Sequence, residues 1–199
     1  MAILLIKGYN LNKSILFVVA ILASSAVYAE NKGYADIQYY QEENRNTHVE
    51  NIKQAITVGV KTDTAWDYSL KLELSQAEIG KGALSEGIEV RIKRGFALGS
   101  LKPYVGIRIG ERITSTTHFS HYAVDVGTKF PLVGNLSGDV GYRYRNAFDA
   151  VNLYDSNRGH VALAYALTKQ DSVAIRYSQT YGARSEQKDS YRLTYSRTF

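Results

Sequence analysis

Charged residues that alternate with apolar residues are the feature of this sequence with the most informative chemistry. Around Lys71, Arg91 and Arg108, every second residue is charged or small, and the residues between them are aliphatic or aromatic. In an extended chain, residues two apart project to the same face. The basic residues assigned to this face are Lys53, Lys61, Lys71, Arg91, Lys93, Arg108, Arg112, Lys129, Arg143, Arg145, Arg176 and Arg192. The acidic residues assigned to it are Asp36, Glu42, Glu73, Glu89, Asp125 and Asp139.

The charge on this face is strongly biased toward the basic side. Twelve bases stand against six acids, whereas the whole chain carries a formal net charge of only +5. Removal of an N-terminal segment that contains Lys7 and Lys13 lowers that net charge to +3. The face can therefore attract anions, or it can pair its charges internally and fill an enclosed space. The sequence leaves both interpretations open.

A second group of residues has the types used in hydrolysis. Ser120 lies between His118 and His121, and Asp125 follows four residues later. A serine, a histidine and an acid can form a nucleophilic triad, but this group is predicted at a loop-to-strand junction, where such residues are usually solvated. The sequence has no cysteine, no metal-ligand spacing and no phosphate-binding glycine loop. We therefore expect no catalytic residues, no metal and no cofactor, and a protein that is not an enzyme.

The elements that carry these charges are predicted to be β-strands, because the dominant period is two. Ten candidate strands are present, and their apolar faces begin at Ala35, Ile56, Tyr68, Ile88, Val105, Tyr122, Val140, Val161, Val173 and Tyr191. The connections predicted to be short are Thr62–Ala65, Leu98–Leu101, Pro131–Asn135 and Thr168–Asp171. The connections predicted to be long are Glu43–Glu50, Ala77–Glu86, Thr114–Ser120, Ala147–Gly159 and Gly182–Asp189.

Ten strands of about 9–11 residues with alternating short and long connections predict an all-β, antiparallel up-and-down transmembrane β-barrel. Eight and twelve strands are the alternatives. A soluble sandwich would have the same period, but the charged face is too polar for a dry core, and the apolar face has tyrosines near the strand ends. The expected location is the bacterial outer membrane, in contact with lipid and lipopolysaccharide. Since the bases alternate along strands instead of forming a patch, we expect no nucleic-acid partner.

The two ends of the chain support export and membrane insertion. Ile15–Ala23 is an apolar run, and Val27-Tyr28-Ala29 suits signal-peptidase cleavage, so residues 1–29 are predicted to be a signal peptide and residues 30–199 the barrel. The chain ends with Phe199 and has apolar residues two apart before it. This pattern resembles the C-terminal signal that is read by the bacterial barrel-insertion machinery. The residues that carry it are Tyr191, Leu193, Tyr195 and Phe199.

The segment Tyr142-Arg143-Tyr144-Arg145 is followed by an Asp- and Asn-rich loop and by a strand that begins near His160. This succession resembles the acidic-oligosaccharide porins. The resemblance covers roughly residues 138–199 and its motif is short. It implies that Arg143 and Arg145 are lumen arginines facing a carboxylated sugar. That family builds twelve strands, whereas ten are counted here.

These observations predict a narrow, anion-preferring channel for small or acidic solutes. The lining is predicted to consist of Lys71, Arg91, Lys93, Arg108, Arg112, Arg143, Arg145, Arg176 and Arg192, together with Glu73, Glu89, Asp125 and Asp139. The alternative is a filled barrel that acts as a structural or adhesin-type protein through its extracellular loops. Charge reversal at Arg108, Arg143 and Arg176 is the variant that the sequence suggests for separating the two.

Overall fold

Ten antiparallel strands form the fold in a computed structural model that describes residues 31–77, 84–114, 117–149, 154–183 and 186–199. The signal peptide predicted at residues 1–29 lies outside the described residues. The strands are β1 (Lys32–Asn44), β2 (Glu50–Lys61), β3 (Trp66–Ala77), β4 (Leu84–Gly95), β5 (Lys102–Thr114), β6 (His118–Pro131), β7 (Leu136–Ala147), β8 (Ser156–Ala166), β9 (Asp171–Gly182) and β10 (Gln187–Thr198).

The strands close into a single barrel in which each strand pairs with its neighbours in sequence. Closure is made by β1 and β10, which pair from Tyr34 with Thr198 to Asn44 with Lys188. The backbone N–H of Phe199 also donates to the carbonyl oxygen of Gly33 at 2.8 Å. The ten-strand up-and-down prediction is therefore confirmed, and the alternatives of eight and twelve strands are wrong. No described helix is long and apolar enough to cross a membrane.

The pleat separates an apolar outer face from a charged inner face. Ile37 and Ile175 are 62% and 64% exposed, whereas Asp125 is 6% exposed because it lies inside the barrel. Aromatic side chains lie near both ends of the outer face, with Trp66, Tyr68 and Phe199 near the short turns. This inverted arrangement, with apolar side chains outside and charges inside, is the one expected of a barrel surrounded by lipid.

The strands are longer than the alternation of apolar and polar residues predicts. The connections predicted to be long are correspondingly shorter. The strands contain 11 to 14 residues, so β5 ends at Thr114 and β6 already begins at His118. Residues 118–121 therefore lie at the start of β6, at the predicted loop-to-strand junction, but the predicted connection Thr114–Ser120 is too long. The physical reason is that polar residues at strand ends continue the backbone hydrogen-bond ladder even where the apolar pattern has stopped. We call the end with connections 62–65, 96–101, 132–135 and 167–170 the turn end, and the opposite end the loop end.

Several inward glycines are packing partners of large side chains. A Cβ atom at Gly127 would lie 2.4 Å from Tyr104 Oη, and a Cβ atom at Gly141 would lie 2.8 Å from the same atom. Gly59 provides the same clearance for the Tyr34 ring, at 2.6 Å. These glycines therefore allow tyrosines of the inner face to lie flat against the barrel wall.

A charged lumen as the candidate functional site

The structure places the predicted lining residues on one inner face, where they line three connected cavities. Their strand pairing keeps them in register: Lys71 lies opposite Glu89, and Asp125 lies opposite Arg143. The residues in contact with a cavity include Lys71, Arg91, Lys93, Arg108, Arg112, Arg143, Arg145, Arg176, Arg192, Glu73, Glu89, Asp125 and Asp139.

Two important lumen residues were missed in the sequence. Asp67 and Arg158 both lie inside the barrel, where they contact other lining side chains. Both precede the first apolar residue of their strands. Asp67 falls between the predicted connection Thr62–Ala65 and Tyr68, and Arg158 falls within the predicted connection Ala147–Gly159. Continuing the two-residue period backward, from Ser69 to Asp67 and from His160 to Arg158, would have found them.

A compact ion-pair network fills the middle of the lumen. Arg108 bridges two carboxylates, since its Nη1 donates to Glu89 at 2.5 Å and its Nε donates to Asp125. Asp125 also accepts a hydrogen bond from Arg143 Nε at 2.6 Å. Lys71 pairs with Glu73 at 2.5 Å on the same strand. Charges buried this deeply need such partners, because removing either partner leaves an uncompensated charge.

Three further carboxylates lie at other positions along the lumen. Each contacts either two basic side chains or one basic side chain and one hydroxyl group. Glu42 accepts from Lys53 at 2.9 Å and from Arg158 at 3.4 Å. Asp67 lies 3.2 Å from Arg91 and 3.1 Å from Lys93. Asp139 accepts from Arg176 and from the Tyr104 hydroxyl, both at 3.0 Å. The described carboxylates of the lumen are therefore largely committed to partners.

Some bases have no carboxylate partner within ion-pair distance among the described residues. Arg145 donates through Nε to Ser156 at 3.2 Å, and its guanidinium stacks on the Tyr154 ring at 3.9 Å. Arg192 donates to Tyr40 at 3.1 Å and to Gln38 at 3.4 Å. Their positive charge is hydrogen-bonded but not neutralised, so it remains available to an anion in the lumen.

Arginines with few neighbouring carboxylates are concentrated on one side of the barrel. We define the arginine wall as the five arginines on the inner faces of β7 to β10, which are Arg143, Arg145, Arg158, Arg176 and Arg192. Among the described residues of these four strands, Asp139 is the one carboxylate that lines the lumen. The other lining carboxylates belong to β1 to β6, except Asp155 and Glu186, which line the loop-end cavity from the residues just before β8 and β10.

Arginines also face one another directly across neighbouring strands. Arg143 pairs with Arg158, and Arg176 pairs with Arg192. Like charges directly opposite in an antiparallel sheet are destabilising. A lumen that only needed to be filled would gain nothing from these pairs, whereas a lumen that attracts anions requires excess positive charge.

The open space in the lumen is divided into two larger cavities and a small one. The turn-end cavity has a volume of about 270 Å³ and the loop-end cavity about 230 Å³. Between them lies a space of about 40 Å³, bordered by Tyr40, Glu73, Glu89 and Arg143. Arg158 borders all three spaces. The ion-pair network therefore forms a constriction between two chambers that are each large enough to hold several water molecules.

The residues considered for hydrolysis do not form a triad. Asp125 is occupied by Arg108 and Arg143, and His121 Nε2 lies 3.8 Å from Glu89. His118 lies 3.3 Å from Glu111, away from the lumen. The described residues include no group of three or more acidic or histidine side chains that could hold a metal ion.

The predicted insertion signal lies on the outer face of the last strand. Tyr191, Leu193 and Tyr195 are exposed there, and Phe199 follows the strand with 72% exposure. Tyr195 also donates a hydrogen bond to Asp171 at 2.6 Å.

Comparison with known proteins shows the fold without showing a family. No protein-family model and no curated protein matches this chain. The outer-membrane channel from Pseudomonas putida F1 has a TM-score of 0.54 at 8% identity, covering 85% of this chain and 95% of that chain. The NanC porin has a TM-score of 0.53 at 11% identity, covering 82% and 100%. The β domain of the Bordetella autotransporter BrkA has a TM-score of 0.51 at 11% identity, covering 85% and 99%. This chain therefore has the fold of outer-membrane β-barrels, and its resemblance to porins is weak.

Proposed function

We propose that this chain is an outer-membrane β-barrel that forms a narrow channel for small anionic solutes. The shared fold and the exposed apolar outer face support the membrane location, where that face contacts lipid and lipopolysaccharide. In this setting, Tyr191, Leu193, Tyr195 and Phe199 form the signal for the barrel-insertion machinery. A channel role also fits the expectation that the protein is not an enzyme.

The observation that carries the proposal is the excess of arginine over carboxylate on the arginine wall. Positive side chains in a narrow pore with low-dielectric walls attract anions and repel cations. Arg145 and Arg192 contribute most directly, because their positive charges are not offset by a carboxylate among the described residues. An anion passing the constriction can move between the guanidinium groups of Arg145, Arg158 and Arg192 without losing all its hydrogen-bond donors.

Planar-bilayer conductance under a salt gradient tests the proposal. The informative variant is Arg145→Gln with Arg192→Gln, since it removes lumen charge without leaving a carboxylate unpaired. The matched control is Arg94→Gln with Lys169→Gln, because Arg94 contacts Trp66 and Phe96 on the outer face and Lys169 lies in a turn. We expect the anion-to-cation permeability ratio to fall about twofold or more in the lumen variant, because less positive charge is focused in the pore.

Two outcomes would contradict the proposal. Correctly folded wild-type protein that does not conduct would exclude a channel. Equal reversal potentials for the wild type and the lumen variant would show that the arginine wall does not set the selectivity. The reversal of Arg108, Arg143 and Arg176 suggested by the sequence is less suitable, because each of them bonds a carboxylate that would be left facing a new acid.

The second candidate function is a filled barrel that acts through its loop end. The observation that favours it is the constriction, where Arg108, Glu89 and Asp125 are mutually paired. The loop-end connections span only three to eight residues between strands, which limits the surface that they offer a partner. Absence of wild-type conductance in the experiment above would favour this candidate.

A further inference from the structure

The turn-end cavity is lined by a group of lysines in addition to Arg143, Arg158, Arg176 and Arg192 of the arginine wall. Lys61, Lys93 and Lys129 come from β2, β4 and β6, and all three line this cavity. We call them the lysine triad. Asp67 on β3 lies opposite Lys61 and also opposite Lys93 in the strand pairing, so these two lysines flank it, and Lys129 lines the same cavity from β6.

Of the lysine triad, Lys93 pairs with Asp67, whereas Lys61 and Lys129 form no ion pair among the described residues. Lys61 and Lys129 have no carboxylate within 4.0 Å among the described residues, and Lys61 instead lies over the Tyr34 ring at 4.6 Å. Asp139 attracts Lys129 but bonds Arg176 and Tyr104. Asp67 contacts Lys93, but it also pairs with Arg91 and accepts from Tyr34. Lys61 and Lys129 therefore line the cavity without an ion pair among the described residues, although each lies opposite a carboxylate in the strand pairing.

On β7 to β10, the same cavity is lined by small residues as well as by the arginine wall. The small residues include Ser137, Ala164, Ala174 and Ser196. Unlike the inward glycine at position 127, which accommodates Tyr104, these side chains leave the space open, and the cavity has a volume of about 270 Å³. Basic groups on one side and free volume on the other are the two requirements of a site for a small anion.

We infer that the lysine triad binds a small, soluble tetrahedral oxyanion of the phosphate type at the turn end. Lysine ammonium groups are compact point charges with rotatable donors, so several of them can surround a tetrahedral anion from different directions. The hydroxyl groups of Ser137 and Ser196 can add neutral donors. The site lies at one mouth, so it does not depend on whether the central constriction conducts.

Titration of the folded barrel in a nonionic detergent, at constant ionic strength, tests this site. Inorganic phosphate is the probe and acetate is the planar comparison, with binding measured by isothermal calorimetry. The variants are Lys61→Gln, Lys129→Gln and both together, and the control is Lys169→Gln, which removes one positive charge at the same end but outside the lumen. We expect saturable phosphate binding that weakens about tenfold for each ammonium removed. The control should retain wild-type affinity.

The inference is overturned if wild type binds no phosphate, if the double variant keeps wild-type affinity, or if acetate binds as tightly as phosphate. Folding is checked by heat-modifiable gel mobility, and the single variants supply the answer if the double variant does not fold. Phosphate binding by a barrel that does not conduct would refute the proposed channel while supporting this site.

Discussion

At the scale of single residues, the lumen contains two kinds of arginine that the sequence does not distinguish. Arg108 is held between Glu89 and Asp125, whereas Arg145 contacts only a serine hydroxyl and an aromatic ring among its described partners. The first kind stabilises the barrel by neutralising buried acids, and the second kind gives the lumen its excess charge. This difference separates the residues needed for stability from those proposed for selectivity.

Substitution by methionine should separate the two kinds experimentally. Arg108→Met leaves Glu89 and Asp125 without a shared partner, and we expect it to lower the free energy of unfolding by about 3–5 kcal/mol. Arg145→Met removes no ion pair and should cost about 1 kcal/mol or less. Urea unfolding in detergent, followed by Trp66 fluorescence, measures both. Equal losses of stability in the two variants would contradict the assignment.

The pairing of these arginines could not be predicted from the sequence, although their face could. The period-two pattern places Arg112, Glu73, Arg158 and Glu42 on the inner face, once Arg158 is included. It cannot show that Arg112 contacts Glu73 or that Arg158 contacts Glu42, because these partners lie 39 and 116 residues apart in the chain. Those contacts depend on how the tilted strands are offset around the closed barrel.

At the scale of elements, the close packing of β5, β6 and β7 depends on inward residues without side chains. Tyr104 on β5 lies over Gly127 on β6 and Gly141 on β7, and its hydroxyl reaches Asp139. The sequence shows the small residues but not whether they create space or fit a neighbour. The structure shows both: the glycines fit tyrosines, and Ala164 and Ala174 border the open turn-end cavity.

Gly127→Ala is expected to destabilise the barrel, because its Cβ atom would lie 2.4 Å from Tyr104 Oη and 2.6 Å from the carbonyl oxygen of Val140. Overpacking of this kind costs about 1–3 kcal/mol. The matched control is Gly159→Ala on β8, where no atom lies within 4 Å of the new Cβ. Urea unfolding of the two variants should differ accordingly, and a stable Gly127→Ala barrel would show that Tyr104 is free to move away.

At the scale of the whole molecule, the lumen is more strongly positive than the net charge of the chain suggests. The formal net charge is only +5, because many acidic side chains are distributed over the whole chain. The barrel places many bases inside and leaves acids such as Glu43 and Glu50 outside the lumen, so folding sorts the charges in space. The selectivity that we propose therefore depends on the closed barrel and not on its composition.

Anion preference should depend on ionic strength, since salt screens the field of the lumen. The screening length falls from about 10 Å at 0.1 M to about 3 Å at 1 M. We expect the reversal potential of the wild type, measured at a constant tenfold gradient, to approach zero as both salt concentrations are raised. A preference that is unchanged across this range would indicate direct binding of anions to individual arginines in place of a distributed field.

The hydrogen bonds between β1 and β10 also determine the order of events in assembly. The strand that pairs with one edge of β1 is β2, which is synthesised directly after it. The strand that pairs with its other edge is β10, which is synthesised last. An unpaired strand edge promotes aggregation. The barrel therefore cannot be completed while the chain is still being made, and the unfinished polypeptide must be kept apart from other chains until its final residues arrive.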